Sequence, residues 1–437
     1  MKIGIVGLGF VGLSLASVLA SKNFRVFGID VDKKKCEKIS NGNPPFFEPE
    51  LEKTLRNGLK KGLKISNDFT LINDCDVIFV TVGTPQKPDG SIELRMMKKA
   101  IEEIGGNLQK SKKNPIIFIK STVIPGTLRN KILPILEKKS KKKAGKEFGL
   151  ISNPEFLQES NAINNTKFPH IVVLGGYQTK YMKKAKKFFE KLHPKTAIII
   201  TNHQTAEMIK YANNSFLATK ISFINQLSNI CQNIPGANID DVAKTIGLDP
   251  RIGKLFLNAG PGYGGSCLPK DMKALINFSN RTGVNPTLLN AVEEINNNQI
   301  DQIISILKQK LGNISSKKIT ILGTAFKPNT DDVRDSISVE LIKKLLRRKS
   351  NVMIHDPKAI PNTMSLFGDK INYSKSIQSA LHKSHCAIIM TQWKRYEKLN
   401  NKEFNFMTKK LVIDCRRVLV GKALDVDYFA IGLGKEK

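Results

Sequence analysis

The segment Gly260-Pro261-Gly262-Tyr263-Gly264-Gly265-Ser266-Cys267-Leu268-Pro269-Lys270-Asp271 sets a thiol, an ammonium and a carboxylate close together behind a run of glycines. Glycines let a ligand approach the backbone. Pro269 suits the first turn of a helix that continues through 272–278. Cys267 then stands just before a helix N-terminus, where free amides and the dipole favour a thiolate. Asp271, four residues on, faces the same side, and Lys270 is close. A thiolate with a neighbouring acid suits covalent catalysis at a carbonyl. Taken alone, a single cysteine also reads as a small buried apolar residue.

Two further groups have the right types and spacing. Lys210 and Asn214 are i and i+4 on a long helical stretch, so both project from one face. Together they can polarise a hydroxyl and stabilise an oxyanion, or be a solvated lysine beside a structural asparagine. Asn153-Pro154-Glu155-Phe156-Leu157-Gln158-Glu159 follows the end of an expected strand, where open α/β sheets place ligands. Glu155 and Glu159 are candidates there for acid/base work and for holding hydroxyls. Two glutamates on a solvated loop is the competing reading.

Gly7-Leu8-Gly9-Phe10-Val11-Gly12 is a G-x-G-x-x-G placed after a strand and opening a helix. The first glycine permits the tight turn and the second lets a pyrophosphate approach. The third lets the helix pack closely on the strand. Asp30, at the end of the next strand, is suited to accept from ribose hydroxyls and to repel a 2′-phosphate, which favours NAD over NADP. Asp32 is the competing carboxylate, and Lys35 a plausible phosphate or ribose neighbour.

Positioning these groups takes a sizeable scaffold. The 437 residues suffice for two to four domains, and 41% hydrophobic with 25% charged residues is ordinary for a globular chain. Expected strands at 2–7, 25–30, 77–82, 116–120, 149–152, 171–174 and 197–201 alternate with helices, which predicts a parallel, doubly wound sheet. A helix without Pro or Gly is predicted from 205 to about 233, fit to connect domains or form a dimer spine. More helical sequence follows. A second, smaller α/β unit has strands at 318–323, 352–355, 387–391 and 411–414 and a helix at 338–349. The fold class is therefore α/β: an N-terminal Rossmann-type domain (1–203), a central helical dimerisation region with one long helix (204–312) and a smaller Rossmann-like C-terminal domain (313–437).

The formal net charge is +32, but only 12 of the 70 basic residues are arginine, the residue suited to bidentate phosphate and base recognition. Apart from the charge and the lysine run at 138–143, nothing points to a nucleic-acid or polyanion binder, and no nucleic-acid partner is expected. No apolar run approaches the ~18–20 residues of a membrane span. The N-terminus reads as a strand and not a signal peptide. Six scattered cysteines without a C-x-x-C pair read as reduced thiols in a cytoplasm. No His/Cys clustering suggests a metal.

Seven segments in one order resemble the nucleotide-sugar dehydrogenases of the UDP-glucose/GDP-mannose family. They are G-L-G-F-V-G, V-G-T-P at 82–85, S-T-V-I-P-G-T at 121–127, N-P-E-F-L at 153–157, A-E-M-I-K-Y-A-N-N at 206–214, G-Y-G-G-S-C-L-P-K-D at 262–271 and G-T-A-F-K-P-N-T-D-D-V-R-D-S at 323–336. The resemblance implies four-electron oxidation of a sugar C6 alcohol to a carboxylate with two NAD, in a dimer built on the long helix. It casts Cys267 as the nucleophile that captures the aldehyde, with Lys210 and Asn214 at the C6 oxygen. Asp271, Thr122 and Glu155 would handle water and protons. It puts Gly7, Gly9, Phe10, Val11, Gly12, Asp30, Lys35, Thr84, Thr122, Glu159 and Arg334 at the cofactor. Glu155, Phe156, Leu157, Lys210, Asn214, Tyr263, Gly264, Lys327 and Arg416 would lie at the UDP-sugar, with Arg251 reaching it across the dimer interface.

Three residues depart from the pattern: Cys415 stands where a glycine is usual before Arg416, Glu50 replaces a glycine and Ile124 a proline. The first puts the backbone at Arg416 in question, and the others are peripheral. P-E-F-L with R-I-G resembles the UDP-glucose branch. F-L-Q-E-S-N-A-I also resembles GDP-mannose dehydrogenases, and UDP-N-acetylhexosamine enzymes rank third. A two-electron β-hydroxyacid dehydrogenase shares the Lys-x-x-x-Asn helix but uses no cysteine thioester.

Overall fold

The computed structural model describes residues 1–434. The chain forms two compact units, Met1–Asn213 and the residues from Asn214 onward.

The first unit runs β1 (Lys2–Val6), α1 (Phe10–Ser21), β2 (Arg25–Ile29), α2 (Lys33–Ser40), α3 (Leu51–Lys60), β3 (Lys64–Ser66), β4 (Val77–Val80), α4 (Arg95–Lys110), β5 (Ile116–Ile119), α5 (Leu133–Ser140), β6 (Gly149–Ser152), α6 (Ala162–Lys167), β7 (Ile171–Gly175), α7 (Thr179–Leu192) and β8 (Ala197–Thr201). Its sheet has the order β3-β2-β1-β4-β5-β6-β7-β8. The first six strands are parallel. The expectation of a wholly parallel sheet is corrected at β7, which meets β6 antiparallel at Ser152 and Gly175, with β8 parallel to β7. A parallel return needs a crossover of a dozen or more residues, usually a helix that carries the chain back along the sheet. The connection, residues 153–170, is long enough in chain, but its one helix, α6, has 6 residues and a length of about 9 Å, too short to carry the chain back along the sheet. Ile3, Ile5, Phe79 and Phe118 fill the core, the last two rings stacked at 4.9 Å. At the far edge, β8 leaves Ile199 and Ile200 43% and 50% exposed.

The long helix α8 (His203–Cys231) begins in the first unit and ends in the second. Its 29 residues span about 44 Å. Phe216, Phe223 and Ile230, spaced by seven, are exposed along it.

The second unit continues with α9 (Ile239–Ile246), α10 (Leu268–Arg281), α11 (Thr287–Leu311), β9 (Lys318–Leu322), α12 (Ile337–Arg347), β10 (Asn351–His355), α13 (Ile360–Phe367), β11 (Asn372–Tyr373), α14 (Ile377–Leu381), β12 (Cys386–Ile389), α15 (Asn401–Phe404), β13 (Leu411–Asp414) and β14 (Asp427–Ala430). Its sheet, β11-β10-β9-β12-β13-β14, is parallel throughout. Strands β3, β11 and β14 were not expected from the sequence. Among the described residues, no helix is long and apolar enough to cross a membrane, and no group of three or more His, Cys, Asp or Glu is placed to hold a metal ion.

Both sheets repeat one device. Gly7 N–H donates to the Ile29 carbonyl, and Asp30 just beyond accepts from Leu8 N–H. Likewise Gly323 N–H donates to the His355 carbonyl, and Asp356 accepts from the N–H groups of Thr324 and Ala325. Each carboxylate thus fixes the turn that leaves the neighbouring strand.

Two of the three departures from the family pattern can be read from the local backbone. After β13 the left-handed backbone falls at Arg417 (φ 56°) and not at Cys415, so the buried thiol is accommodated. Glu50 does adopt φ 63°, the region glycine favours, at the start of α3.

His355 is fully buried, its Nδ1 2.8 Å from Tyr396 Oη. Burial pushes its pKa down to about 4, with Arg395 adding to the push and Asp356 opposing it. An unfolded histidine titrates near 6.5. Between about pH 6.5 and 4 the unfolded chain therefore takes up a proton that the folded chain refuses, and stability falls as pH falls through that window. The share of His355 is about 2 kcal/mol at pH 5. Calorimetry is expected to show a larger drop in Tm between pH 7 and 5 for the wild type than for His355→Gln. Equal drops would count against this assignment.

Candidate active site

The glycine turn between β1 and α1 is built by close approach. Gly7 has φ +95°, and a Cβ at Gly12 would sit 1.9 Å from the Gly7 carbonyl oxygen, so α1 packs directly on the turn. Gly9 has open space where its side chain would be, and no side chain caps the N-terminus of α1. This cradle suits a dinucleotide diphosphate. Asp30 is buried, its Oδ2 accepting from Leu8 N–H at 2.8 Å and from Lys35 Nζ at 2.9 Å. The carboxylate expected at a ribose thus also holds the glycine turn. Asp32, its competitor, caps α2. Thr84 Oγ1 donates to the Thr122 carbonyl at 2.9 Å, and Phe10 packs on Phe46.

At the carboxyl end of β6, Glu155 Oε1 lies 3.1 Å from Lys210 Nζ, with only 9% and 4% of the two side chains exposed. Glu155 Oε2 accepts from Leu157 N–H at 2.5 Å, and Lys210 Nζ lies 5.3 Å from the centre of the Phe156 ring. Burial alone would raise the Glu155 pKa. The charge of Lys210, the Leu157 amide and Lys120 outweigh it and hold the carboxyl below its ordinary value. Lys120 was missed from sequence. It stands just past β5, donates to Asn153 Oδ1 at 3.1 Å, and is pushed down to about 8 by burial, with Glu155 opposing and Lys210 adding. A basic residue at the end of a central parallel strand was the available signal. Lys120, Glu155, Phe156, Val11, Phe79 and His193 line part of one cleft of about 590 Å³, open mouth included.

Two buried glutamates, also missed, anchor the loops around it. Glu207, on α8 one turn before Lys210, accepts from the N–H groups of Gly126 and Leu128, in and just past the motif that carries Thr122. Burial pushes Glu207 up to about 7 against those two bonds. Glu48 accepts from Ser160 and Ala162 N–H and fixes the turn after Glu159, which is half-buried.

In the second unit Cys267 is the N-cap of α10, as the placement of Pro269 predicted. It is half-buried, whereas the other five cysteines are buried. Asp271, 1% exposed, accepts from Asn214 Nδ2 at 2.6 Å and from Lys270 Nζ at 2.5 Å. Ser266 Oγ lies 3.6 Å from the Cys267 sulfur. Asn296 clamps Tyr263 by both its backbone groups, and Gly264 lies against the Asp335 carbonyl with no room for a side chain. Asn296 was not anticipated.

The cations divide by setting. Lys327 lies against the Phe326 ring, and Arg416 donates from Nε to the Met390 carbonyl at 2.9 Å, burial pushing it down to about 10. Arg251 and Arg334 are exposed and paired with Asp249 and Asp332, each two residues away.

Three family models match in order: the NAD binding domain (residues 1–193), the central domain (204–298) and the UDP binding domain (320–421) of the UDP-glucose/GDP-mannose dehydrogenase family. The chain is 36% identical to the UDP-glucose 6-dehydrogenase AglM of Haloferax volcanii over 98% of its own length and 99% of the relative's. It is 37% identical to the UDP-glucose 6-dehydrogenase TuaD of Bacillus subtilis, covering 94% of this chain and 88% of that one. A UDP-glucose dehydrogenase structure from the hyperthermophilic archaeon Pyrobaculum islandicum superposes with a TM-score of 0.93 at 32% identity, covering 99% of this chain and 98% of that one. With its glycine cradle suited to NAD and its cysteine at the start of α10, the chain belongs to the UDP-glucose/GDP-mannose dehydrogenase family.

Proposed function

We propose that this NAD-dependent nucleotide-sugar dehydrogenase converts UDP-glucose to UDP-glucuronate through a thioester on Cys267. The observation that carries the reading is the setting of Cys267: the one half-buried thiol of six, capping α10, with Asp271 pinned from two sides. NAD, when bound, supplies the hydride acceptor. In the first unit Gly7, Gly9, Phe10, Val11, Gly12, Asp30, Lys35, Thr84, Thr122 and Glu159 would hold it. Arg334 of the second unit is assigned to its diphosphate by motif.

The alcohol first gives up a hydride and a proton to become an aldehyde. The Cys267 sulfur then bonds to C6 while the carbonyl oxygen takes a proton. Loss of a second hydride and a proton leaves the thioester. Water adds to it, the C–S bond breaks, and its electrons return to sulfur. One alcohol, one water and two NAD⁺ thus give one carboxylate, two NADH and three protons. Lys210 and Asn214 donate to the C6 oxygen, where negative charge develops. Asp271, Thr122 and Glu155 manage the protons of the attacking water. Covalent capture keeps the aldehyde from escaping between the two oxidations.

Tyr263, Gly264, Lys327, Arg416, Phe156 and Leu157 are assigned to the UDP-sugar. The names of the relatives at 36% and 37% identity and the P-E-F-L and R-I-G motifs support glucose, while similar structures at 24% and 25% identity are named for UDP-N-acetylmannosamine. The exposed stripe Phe216, Phe223, Ile230 supports pairing of two copies along α8, with the exposed Arg251 serving the partner's substrate. The test is NADH release across UDP-glucose, GDP-mannose and UDP-N-acetylglucosamine, with the sugar acid quantified. UDP-glucose is expected to react fastest and to give two NADH per uronate. One NADH per product, or faster turnover of another sugar, would replace this reading.

A further inference from the structure

Arg417 has no place in the chemistry above, yet its side chain is only 4% exposed. Its Nε donates to both carboxylate oxygens of Asp240 in the first turn of α9, at 2.9 Å each. Its Nη2 donates to the Ala259 carbonyl at 2.9 Å, and its Nη1 to the Ile431 carbonyl at 3.3 Å. One guanidinium therefore joins α9, the residue before the glycine run that leads to Cys267, and the segment just past β14. The planar fork of arginine makes this possible where the point charge of lysine does not.

The place it grips is the root of the cysteine loop. Gly260 N–H, next to Ala259, donates to Asn225 Oδ1 on α8 at 2.8 Å. The guanidinium of Arg416 lies over Gly260, where a Cβ would be 2.8 Å from its Nη1. Arg416 and Arg417 share one turn, which Asp414 fixes by accepting from the N–H groups of Arg416 and Leu419. The left-handed backbone at Arg417 aims its side chain at Ala259 while Arg416 covers Gly260.

Resting on the roles given above to Cys267 and Arg416, we propose that Arg417 is a positioning residue that couples the nucleotide subsite to the cysteine loop. Fixing the turn that carries Arg416 fixes the root of the loop that carries Cys267. A UDP group held at the first then sets the exposure of the thiol at the second.

The test uses the full-length protein and UDP alone as probe. Iodoacetamide alkylation of Cys267, followed by peptide mass spectrometry, is run with and without UDP on wild type, Arg417→Lys and Asp240→Asn. Steady-state constants are measured alongside. UDP is expected to change the wild-type alkylation rate by about tenfold, and both variants are expected to lose that response. The KM for UDP-glucose should rise by about tenfold while the KM for NAD stays within about twofold. Where Arg417→Lys fails to fold, Asp240→Asn alone decides. The coupling role is overturned if UDP leaves the wild-type rate unchanged, or if the folded variants keep the wild-type response and show only a lower Tm. Failure of the UDP-glucose reading looks different: UDP still modulates Cys267, but UDP-glucose yields no NADH.

Discussion

Cys267→Ser is expected to bind UDP-glucose and NAD as the wild type does and to form UDP-glucuronate at least about 10³-fold more slowly. Serine keeps the size of the side chain and the backbone of the N-cap, so α10 and the Asn214–Asp271–Lys270 arrangement should persist. It lacks the acidity: a hydroxyl is a weak nucleophile without a dedicated base, whereas a thiol carries some thiolate at neutral pH. The loss should fall on kcat, because the missing bond forms after the substrate binds. Product analysis by ion-exchange chromatography, with binding by calorimetry, separates these terms. Uronate at wild-type rates from the serine variant would sink the nucleophile assignment.

Lys210→Met should show the second large effect, on two quantities at once. It removes the ammonium 3.1 Å from Glu155, in a pair with 4% and 9% of its side chains exposed. Breaking a buried pair by deleting one partner costs about 3–5 kcal/mol, because the other charge is left without its counterpart. Lys120 beside Glu155 favours the lower end of that range. Turnover should fall by about 10²–10³-fold, the usual cost of one donor to a developing oxyanion. The double variant Lys210→Met with Glu155→Gln tests the pairing through Tm, and comparison with Glu155→Gln alone, which removes only the proton-handling carboxylate, isolates the share of Lys210 in the rate. Removing the orphaned charge should restore most of the Tm but not the rate. A single variant that keeps both rate and Tm refutes the pairing and the role together.

What was legible in the sequence was what depends on spacing along the chain. The glycines at 7, 9 and 12, the cap at Cys267 with Pro269 behind it, and the helical register of Lys210 and Asn214 are local, and each stands where the spacing put it. Asp30 was legible in position but not in its partners within the chain, among them the Leu8 amide, 22 residues away and brought near by the pairing of β1 with β2. Lys120, Glu48, Glu207, Asp356 and Arg417 were not legible. Each is a lone polar residue in sequence whose meaning comes from a partner on another element, such as the Ala259 carbonyl 158 positions before Arg417. The turn of the first sheet at β7 escaped for a related reason: runs of buried β-branched residues report burial and carry no mark of direction. Strands β3 and β11 have 3 and 2 residues, too short for any alternation to register.

The exposed isoleucines of β8 have a bearing on the charge of +32. An open strand edge lined with β-branched side chains is a template onto which another such edge can add. Mutual repulsion between highly cationic molecules opposes that encounter at long range. At about 1 M salt the screening length shrinks to about 3 Å, and the repulsion fades before two edges meet. If the β8 edges can meet in this way, light scattering is expected to show more self-association at about 1 M salt than in dilute buffer, and equal scattering would count against a bearing of the charge on that edge.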